Sequence, residues 1–200
     1  MSQHYFTQNP DSKHEFKEIE AELRGRIYKF TTDTGVFSRN RVDRGSELLI
    51  KAMNIDINDK ILDMGCGYGP IGIVAADLAN EGEVLMVDIN QRAVELARKN
   101  LKKNYISNAT AIVNDGFENL TEKDYSVILM NPPFRTGKKI VYPLLEKSLE
   151  YLQQKGSLYT VCMTRQGAKT LAKKMDEIFG NVIEVDKGSG YRVFCSIKDR

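Results

Sequence analysis

The 200-residue sequence predicts a doubly wound α/β domain, in which helices cover both faces of a largely parallel sheet. From residue 60 onward, short apolar runs alternate with stretches of helical spacing, the order expected of right-handed βαβ units. The apolar runs are hydrophobic along their length, as strands buried on both faces are. The last two runs are joined by "GSG", which predicts an antiparallel hairpin at one edge of the sheet.

The predicted elements follow one another along the chain without a linker between domains. The segments "EIEAEL" and "IYKF" flank Gly25 and predict a β-hairpin over residues 17–30, and "TTDTGVFSRN" has loop composition. The helices are "VDRGSELLIKAMN", "GIVAADLAN", "QRAVELARKNLKKN", "YPLLEKSLEYLQQ" and "KTLAKKMDEIF". The strands are "KILDM", "EVLMVD", "TAIVN", "YSVILM", "GSLYTVCM", "NVIEVDK" and "YRVFCSI". We therefore expect one domain over residues 1–200, with a polar tail (1–16), a hairpin extension (17–35) and a core (36–200).

The composition excludes several classes of protein. Hydrophobic residues make up 42% and charged residues 28% of the chain, which is typical of a globular domain and neither disordered nor membrane-embedded. The polar start and the lack of a long apolar run predict a cytoplasmic protein with no membrane partner. The 29 basic and 27 acidic residues nearly cancel, so any basic surface must be local. The spacing of Cys66, Cys162 and Cys195 predicts reduced thiols and no structural metal.

The stretch "ILDMGCGYGPIGIVAA" predicts a strand, a glycine loop and a helix start, an arrangement that binds nucleotide-like ligands. Gly67, Gly69 and Gly72 satisfy the dinucleotide pattern G-x-G-x-x-G. Asp63, at the end of the strand, would however repel a pyrophosphate and attract a cation. Asp88 ends the next strand, where a carboxylate accepts hydrogen bonds from ribose hydroxyls. A ligand with a ribose, an adenine and an ammonium group but no phosphate fits both Asp63 and Asp88, which predicts S-adenosyl-L-methionine. The alternative is that the three glycines only form an ordinary tight turn.

Together, "ILDMGCGYGPIG", "VDIN" and "NPPF" resemble the class I S-adenosylmethionine-dependent methyltransferases. The resemblance implies a Rossmann-like seven-stranded sheet whose last strand is antiparallel. It also implies that Asp63 and the glycine loop hold the methionine end of the cofactor, Asp88 the ribose and Asp115 the adenine amino group, although an Asp before a Gly is also an ordinary turn. The implied cofactor-binding residues are Asp63, Gly65, Cys66, Gly67, Gly69, Asp88, Ile89, Asp115, Gly116 and Asn131.

The stretch "ILMNPPFRTGK" ends a strand abruptly, because proline cannot donate to a β-ladder and disfavours helix in the residue before it. The motif resembles that of the amino-methyltransferases, which act on an exocyclic amine of adenine or guanine or on a glutamine amide. The resemblance implies that the Asn131 side-chain oxygen and the Pro132 carbonyl accept hydrogen bonds from the two N–H groups of the target amine. It also implies that Phe134 stacks on the base. The catalytic candidates are Asn131, Pro132, Pro133 and Phe134, and no metal is required.

Joined to the "NPPF" motif, "TGVFSRNRVDRGSELLI" resembles the single-domain form of the ribosomal small-subunit RNA guanine-N(2)-methyltransferases. This implies RNA, in particular 16S ribosomal RNA or the small subunit, as the partner, with the target base unpaired or flipped out. The substrate-binding candidates are Phe37, Ser38, Arg39, Arg41, Arg135 and Lys138. Phe37 could instead be a core aromatic, and the basic residues could be a solvated surface.

Three other functions remain open on the sequence. A protein glutamine methyltransferase would use a similar motif, an RNA-binding module could retain the fold without catalysis, and a dehydrogenase is disfavoured by Asp63. Cys66 lacks a neighbouring base that would make it a nucleophile, and His4 and His14 are interpreted as solvated. The sequence makes no prediction of oligomeric state.

Overall fold

The computed structural model describes residues 13–133 and 137–199 and contains a seven-stranded sheet flanked by helices. Phe134 and Arg135 of the predicted site, and His4 of the tail, lie outside the described residues. The strands are β1 (Lys17–Leu23), β2 (Arg26–Thr32), β3 (Lys60–Met64), β4 (Glu83–Asp88), β5 (Ala109–Val113), β6 (Tyr125–Met130), β7 (Leu152–Met163), β8 (Ile183–Gly188) and β9 (Tyr191–Ile197). The helices are α1 (Arg44–Ala52), α2 (Pro70–Leu78), α3 (Gln91–Lys103), α4 (Lys138–Tyr151) and α5 (Ala168–Phe179), with a 3₁₀ turn at Thr164–Gln166.

The main sheet has the order β5-β4-β3-β6-β7-β9-β8. Strands β3 to β7 are parallel, whereas β9 lies antiparallel between β7 and β8 and pairs with both. The predicted fold class, a doubly wound seven-stranded sheet with an antiparallel last strand, is confirmed.

Helices cover both faces of the sheet, and successive residues of the central strands alternate between two hydrophobic cores. Ile61 and Leu129 belong to the core beneath α1, α2 and α3, whereas Leu62 and Ile128 belong to the core beneath α4 and α5. This alternation explains why the central strands are apolar at nearly every position.

The predicted N-terminal hairpin forms a separate two-stranded sheet, β1 and β2, that packs against α3. Asn100 on α3 and Asn104, the C-cap of that helix, lie one turn apart. Their side chains form hydrogen bonds with the outward-facing backbone groups of Thr31 and Lys29. The Asn100 side chain accepts from the Thr31 N–H at 2.7 Å and donates to the Thr31 carbonyl at 3.0 Å. The two asparagines thus take the place of a third strand along β2, and the edge of this small sheet is covered.

The sequence misplaced the junction of α4 and β7. The helix begins at Lys138 and includes Pro143, and it ends at Tyr151, so the residues "LQQ" that were predicted to be helical belong to β7. Leu152 pairs with Tyr125, and the register then shifts before Ser157 pairs with Val127. At Gly156 a Cβ would lie 2.9 Å from the Tyr125 carbonyl, so the strand passes this point only with glycine. No helix in the described ranges is both long and apolar enough to cross a membrane.

Candidate active site

The site lies where the strand order reverses. Strand β3 has β4 on one side and β6 on the other. The chain therefore adds β4 and β5 on one side of β3 and then crosses to the other side to form β6. Met64 at the end of β3 is paired with Met130 at the end of β6, which places the glycine loop beside Asn131. Ligands of open α/β sheets bind in the crevice at such a point, beyond the carboxyl ends of the strands.

Asp63 is a fully buried carboxylate with one unpaired oxygen. Its Oδ2 accepts a hydrogen bond from the Gly72 N–H at 2.8 Å, whereas Oδ1 has no partner among the described residues. Burial and, to a smaller extent, the nearby Asp88 carboxylate together raise the pKa of Asp63 to about 7, against the lowering effect of the Gly72 hydrogen bond. A buried carboxylate with an open oxygen is suited to binding a cation.

The glycine loop brings the start of α2 against Asp63. At Gly72 a Cβ would lie 2.8 Å from Asp63 Oδ2 and 2.7 Å from Met86 Cγ, so only glycine lets the helix approach so closely. Gly65 and Gly67 have φ of 75° and 57°, and a Cβ at either would face open space. The loop thus presents backbone rather than side chains on its outer side, as a cofactor cradle requires.

Asp88, at the end of β4, holds the glycine loop and the start of α3 together. It accepts from the Gly67 N–H at 2.8 Å and from the Asn90 N–H at 2.9 Å. Burial raises the pKa of this carboxyl, while these backbone hydrogen bonds act in the opposite direction. The carboxylate therefore has a fixed orientation next to the loop.

An open hollow of about 330 Å³ lies beside Asp88. Val113 at its wall is 38% exposed and offers an apolar surface against which a planar ring can pack. Asp115 accepts from the Glu118 N–H through its backbone carbonyl, so the predicted turn also forms part of this wall. The lining residues are Ile89, Val113, Asn114, Asp115, Glu118 and Asn119.

Asn131 follows directly after β6 and contacts the start of α1. Its amide nitrogen Nδ2 lies 2.9 Å from Ser46 Oγ and 3.3 Å from Asp43 Oδ2. These contacts fix the plane of the amide and leave the oxygen Oδ1 on the opposite side. Pro132, directly after Asn131, is buried.

The loop between β2 and α1 is anchored next to the site. Asn90 donates to the Gly35 carbonyl at 2.9 Å and Arg92 to the Thr34 carbonyl at 2.7 Å, which ties the loop to the start of α3. Phe37 is 47% exposed, so the alternative that it is a core aromatic is wrong. Ser38 donates to the Arg41 carbonyl at 2.7 Å and shapes the loop.

The basic candidates differ in how far they are already engaged. The Arg39 guanidinium bonds the Glu15 carbonyl at 2.9 Å and pairs with its carboxylate at 2.8 Å. Arg41 and Lys138 are exposed. Lys138 begins α4, which follows β6 at the same edge of the sheet as Asn131. Arg41 and Lys138 are thus better placed than Arg39 to contact a substrate.

His14 and Cys66 have surroundings that bear on how the sequence was interpreted. His14 is exposed, as expected, and its Nδ1 also lies 2.5 Å from Asp33 Oδ2; the sequence missed this contact because the two residues are 19 positions apart. Cys66 is buried, and burial raises the pKa of its thiol, which is unfavourable for a nucleophile.

Within residues 13–133 and 137–199, no group of three or more metal-ligating side chains is present.

Asp43 and Ser46 were missed as functional candidates by sequence reasoning. An aspartate ahead of a helical pattern signals an N-cap, and Asp43 is indeed the N-cap of α1. Its contact with Asn131, 88 residues away, has no local signature. The packing of α1 against β7 and β9 brings these residues together.

The residues of the crevice fit S-adenosylmethionine. The open oxygen of Asp63 suits an ammonium group, the Asp88 carboxylate suits ribose hydroxyls, and the hollow beside Val113 suits an adenine ring. A phosphate-bearing dinucleotide would instead meet the buried negative charge of Asp63.

Comparison with protein families and curated sequences gives consistent matches. The family model described as "Methyltransferase small domain" matches residues 27–195. The chain is 40% identical to the uncharacterized protein YbxB of Bacillus subtilis over 200 residues, covering 99% of this chain and 100% of that protein. It is 31% identical to ribosomal RNA small subunit methyltransferase C of Hamiltonella defensa, covering 80% of this chain and 47% of that enzyme. The chain thus spans about half the length of its curated ribosomal RNA methyltransferase relatives.

Solved structures extend the comparison. The Thermus thermophilus 16S rRNA N2 G1207 methyltransferase, solved with AdoMet and guanosine, superimposes with a TM-score of 0.83 at 25% identity, covering 94% of this chain and 52% of that one. M. jannaschii TYW2, solved with AdoMet, gives a TM-score of 0.66 at 18% identity over 93% of this chain and 87% of that one. The second match is informative about the fold alone.

Proposed function

The chain belongs to the methyltransferase small domain family, and on that premise we propose that it methylates an exocyclic base amine of RNA, with guanine N(2) of small-subunit ribosomal RNA as the target. The general activity follows from the family: the chain is an S-adenosylmethionine-dependent methyltransferase, and the predicted cofactor is confirmed. The amine, the base and the RNA are the parts that we propose.

One observation carries the proposal, the oriented amide of Asn131 beside the cofactor crevice. With Nδ2 bound by Ser46 and Asp43, Oδ1 is the atom left to accept a hydrogen bond from a substrate. An amide oxygen held in this way accepts a hydrogen bond from an N–H group, which an exocyclic amine or a side-chain amide supplies and a carbon nucleophile does not.

We infer which residues would hold the cofactor. Asp63 would bind its ammonium group, the backbone of Gly65 and Gly67 would face its methionine portion, and Asp88 would accept hydrogen bonds from the ribose hydroxyls. The hollow at Val113 and Asp115 would hold the adenine ring. When bound, S-adenosylmethionine supplies an electrophilic methyl group on a sulfonium that leaves readily.

The remaining work of the chain is to orient a poor nucleophile. The lone pair of a base amine is delocalised into the ring, so the nitrogen is planar and weakly nucleophilic. Asn131 Oδ1 and the Pro132 carbonyl accept hydrogen bonds from its two N–H groups and aim the lone pair out of the ring plane; the resemblance to the amino-methyltransferases gives Phe134 the role of stacking on the base. Positioning of this kind accounts for large rate enhancements without a metal or a strong base.

RNA as the substrate class is supported by the relatives and by the local surface. The 31%-identical relative is named a ribosomal RNA methyltransferase, and the structural neighbour at 25% identity was solved with guanosine. Arg41 and Lys138 provide exposed positive charge near Asn131, as contacts to phosphates require. Because those relatives are about twice as long, the exact nucleotide does not transfer with their names.

The proposal is tested by tracing the methyl group. The chain is incubated with methyl-labelled cofactor and, in separate reactions, with ribosomal RNA, small ribosomal subunits, transfer RNA and peptide release factors, and the labelled product is digested and mapped. We expect label in N(2)-methylguanosine from the ribosomal RNA or subunit reaction. Label on a glutamine of a release factor, or on a ring nitrogen or carbon of RNA, would overturn the proposal.

A further inference from the structure

The amide of Asn131 is held by the first turn of α1 and by no other described element. Asp43 Oδ2 accepts from the N–H groups of Gly45 at 2.9 Å and Ser46 at 3.2 Å, and the same oxygen lies 3.3 Å from Asn131 Nδ2. Ser46 Oγ is closer to Nδ2, at 2.9 Å, and its residue is only 4% exposed. A helix cap and a site residue therefore share one carboxylate oxygen.

The polarity of this contact determines which end of the Asn131 amide faces the crevice. The oxygen and nitrogen of an amide have nearly the same shape, so only their hydrogen-bond partners distinguish the two orientations. A carboxylate such as Asp43 can only accept, so it binds the nitrogen and would repel the oxygen. Oδ1 is thereby directed away from α1.

The pocket that holds the two groups is tightly built. A Cβ at Gly45 would lie 2.8 Å from both Asp43 Oδ2 and a ring carbon of Tyr191, so the backbone there admits only glycine without movement. The Tyr191 hydroxyl lies 3.4 Å from Asp43 Oδ1. The Asp43 carboxylate is thus bounded by α1 on one side and β9 on the other and cannot turn freely.

We propose that Asp43 and Ser46 are positioning residues that select the orientation of the Asn131 amide in which its oxygen receives the substrate amine. The negative charge of Asp43 also polarises the amide and strengthens Oδ1 as an acceptor. This inference rests on the proposed function, because it assigns Asn131 Oδ1 to the substrate. Neither residue touches the substrate in this scheme.

Three variants with a matched control separate positioning from helix capping. Asp43→Ser keeps a good N-cap but is too short to reach Asn131, whereas Asp43→Asn keeps both a cap and an acceptor oxygen. Ser46→Ala removes the shorter contact in a buried, small site. We expect Ser46→Ala and Asp43→Ser to lower kcat at least tenfold with the cofactor Kd changed less than twofold, and Asp43→Asn to lose less. Glu47→Ala, an exposed change in the same helical turn, should leave kcat unchanged.

A reversal of polarity gives a readout that a merely structural role would not produce. Asn131→Asp places a second carboxylate next to Asp43, and the two repel each other. Asp43→Asn in that background removes the repulsion, so the double variant should be at least fivefold more active than Asn131→Asp alone. A double variant no more active than the single one would show that Asp43 acts only as a helix cap.

A spectroscopic measurement tests the inference without any RNA. In the ¹⁵N-labelled protein with S-adenosylmethionine, the Asn131 side-chain NH₂, assigned by its loss in Asn131→Asp, should exchange with solvent at least tenfold more slowly than that of Asn58, which is exposed and away from the site. Ser46→Ala should abolish this protection. Rapid exchange in the unmutated protein would overturn the inference whatever the substrate, whereas a protected amide in a protein that methylates no RNA would overturn the proposed function alone.

Discussion

Asp63 carries a charge that the folded chain compensates only in part. Gly72 supplies one hydrogen bond, the other carboxylate oxygen has no described partner, and the pKa is raised to about 7. Because the usual pKa of this side chain is 3.8, the folded protein holds the proton at pH values where the unfolded chain has released it. The contribution of Asp63 to stability therefore falls as pH rises from about 4 to about 7.

Cofactor binding should depend on pH in the opposite sense, because the ammonium group requires ionised Asp63. We expect the Kd for S-adenosylmethionine, measured by calorimetry, to fall as pH rises from 5.5 and to level off above about 7, with proton release on binding near pH 6. Asp63→Asn should bind weakly at every pH. A wild-type affinity that is flat between pH 5.5 and 7 would contradict the role of Asp63.

The same variant provides a stability test. Between pH 5.5 and 8 the wild type should lose roughly 2 kcal/mol more stability than Asp63→Asn, since one pKa unit corresponds to about 1.4 kcal/mol. Urea unfolding of the cofactor-free proteins at both pH values measures this difference. Equal pH dependence in the two proteins would mean that Asp63 is already ionised at pH 5.5.

Asn131 is expected to act on turnover. Asn131→Ala should lower kcat by at least a factor of about 10³, since it removes the acceptor that orients the amine, while the cofactor Kd stays within a few-fold. Single-turnover assays with labelled cofactor, together with calorimetry, separate the two effects. Unchanged turnover in this variant would exclude Asn131 from the reaction.

At the scale of elements, the hairpin, α3 and the glycine loop are joined through Asn100. Its side chain is fully buried and bonds both backbone groups of Thr31 and the carbonyl of Tyr68, the last at 2.8 Å. These contacts link the N-terminal extension to the cofactor loop. Asn100 therefore bridges the N-terminal hairpin and the glycine loop.

Asn100→Ala should lower the free energy of unfolding by about 3 kcal/mol, because it leaves buried backbone groups without hydrogen bonds. Chemical denaturation followed by circular dichroism gives the value. Lys102→Ala, an exposed change on the same helix at a side chain that forms no hydrogen bond or ion pair with a described residue, should cost less than about 0.5 kcal/mol. Similar losses in both variants would show that helix propensity, rather than the buried bonds, sets the effect.

The elements also show how far the sequence could predict this molecule. Strands β3, β4, β6 and β9 begin and end as predicted, because buried strands leave a clear apolar run between polar boundaries. The acids at the ends of β3 and β4 could be placed for the same reason. The start of α4 was missed because Pro143 is a helix breaker by rule and is tolerated here in the second turn. The contact of Asp43 with Asn131 could not be predicted, because it depends on how α1 packs.

At the scale of the whole molecule, the near balance of charge hides a local contrast between two arginines. Arg39 is engaged by Glu15, whereas Arg41 is exposed and has no recorded ion pair within the described ranges. A small net charge therefore gives little information about nucleic-acid binding. Nucleic-acid binding depends instead on the exposed basic side chains near the site.

RNA binding should reflect this contrast. Arg41→Ala should weaken binding of ribosomal RNA and reduce the slope of log Kd against log salt concentration by about one phosphate contact, whereas Arg39→Ala should change the slope little. Fluorescence anisotropy over a series of salt concentrations measures both. Equal slopes for the wild type and Arg41→Ala would remove Arg41 from the RNA-binding surface.

The position of β9 has a consequence for synthesis on the ribosome. Strand β8 pairs only with β9 in the described sheet, yet β8 is made first and β9 must insert between it and β7. During translation β8 therefore has no ladder partner, and the exposed edge of β7 stays open until β9 emerges from the exit tunnel. The last strand to be synthesised, β9, takes an interior position in the sheet. Until it does so, the nascent chain has an exposed strand edge on β7 that can pair with another chain.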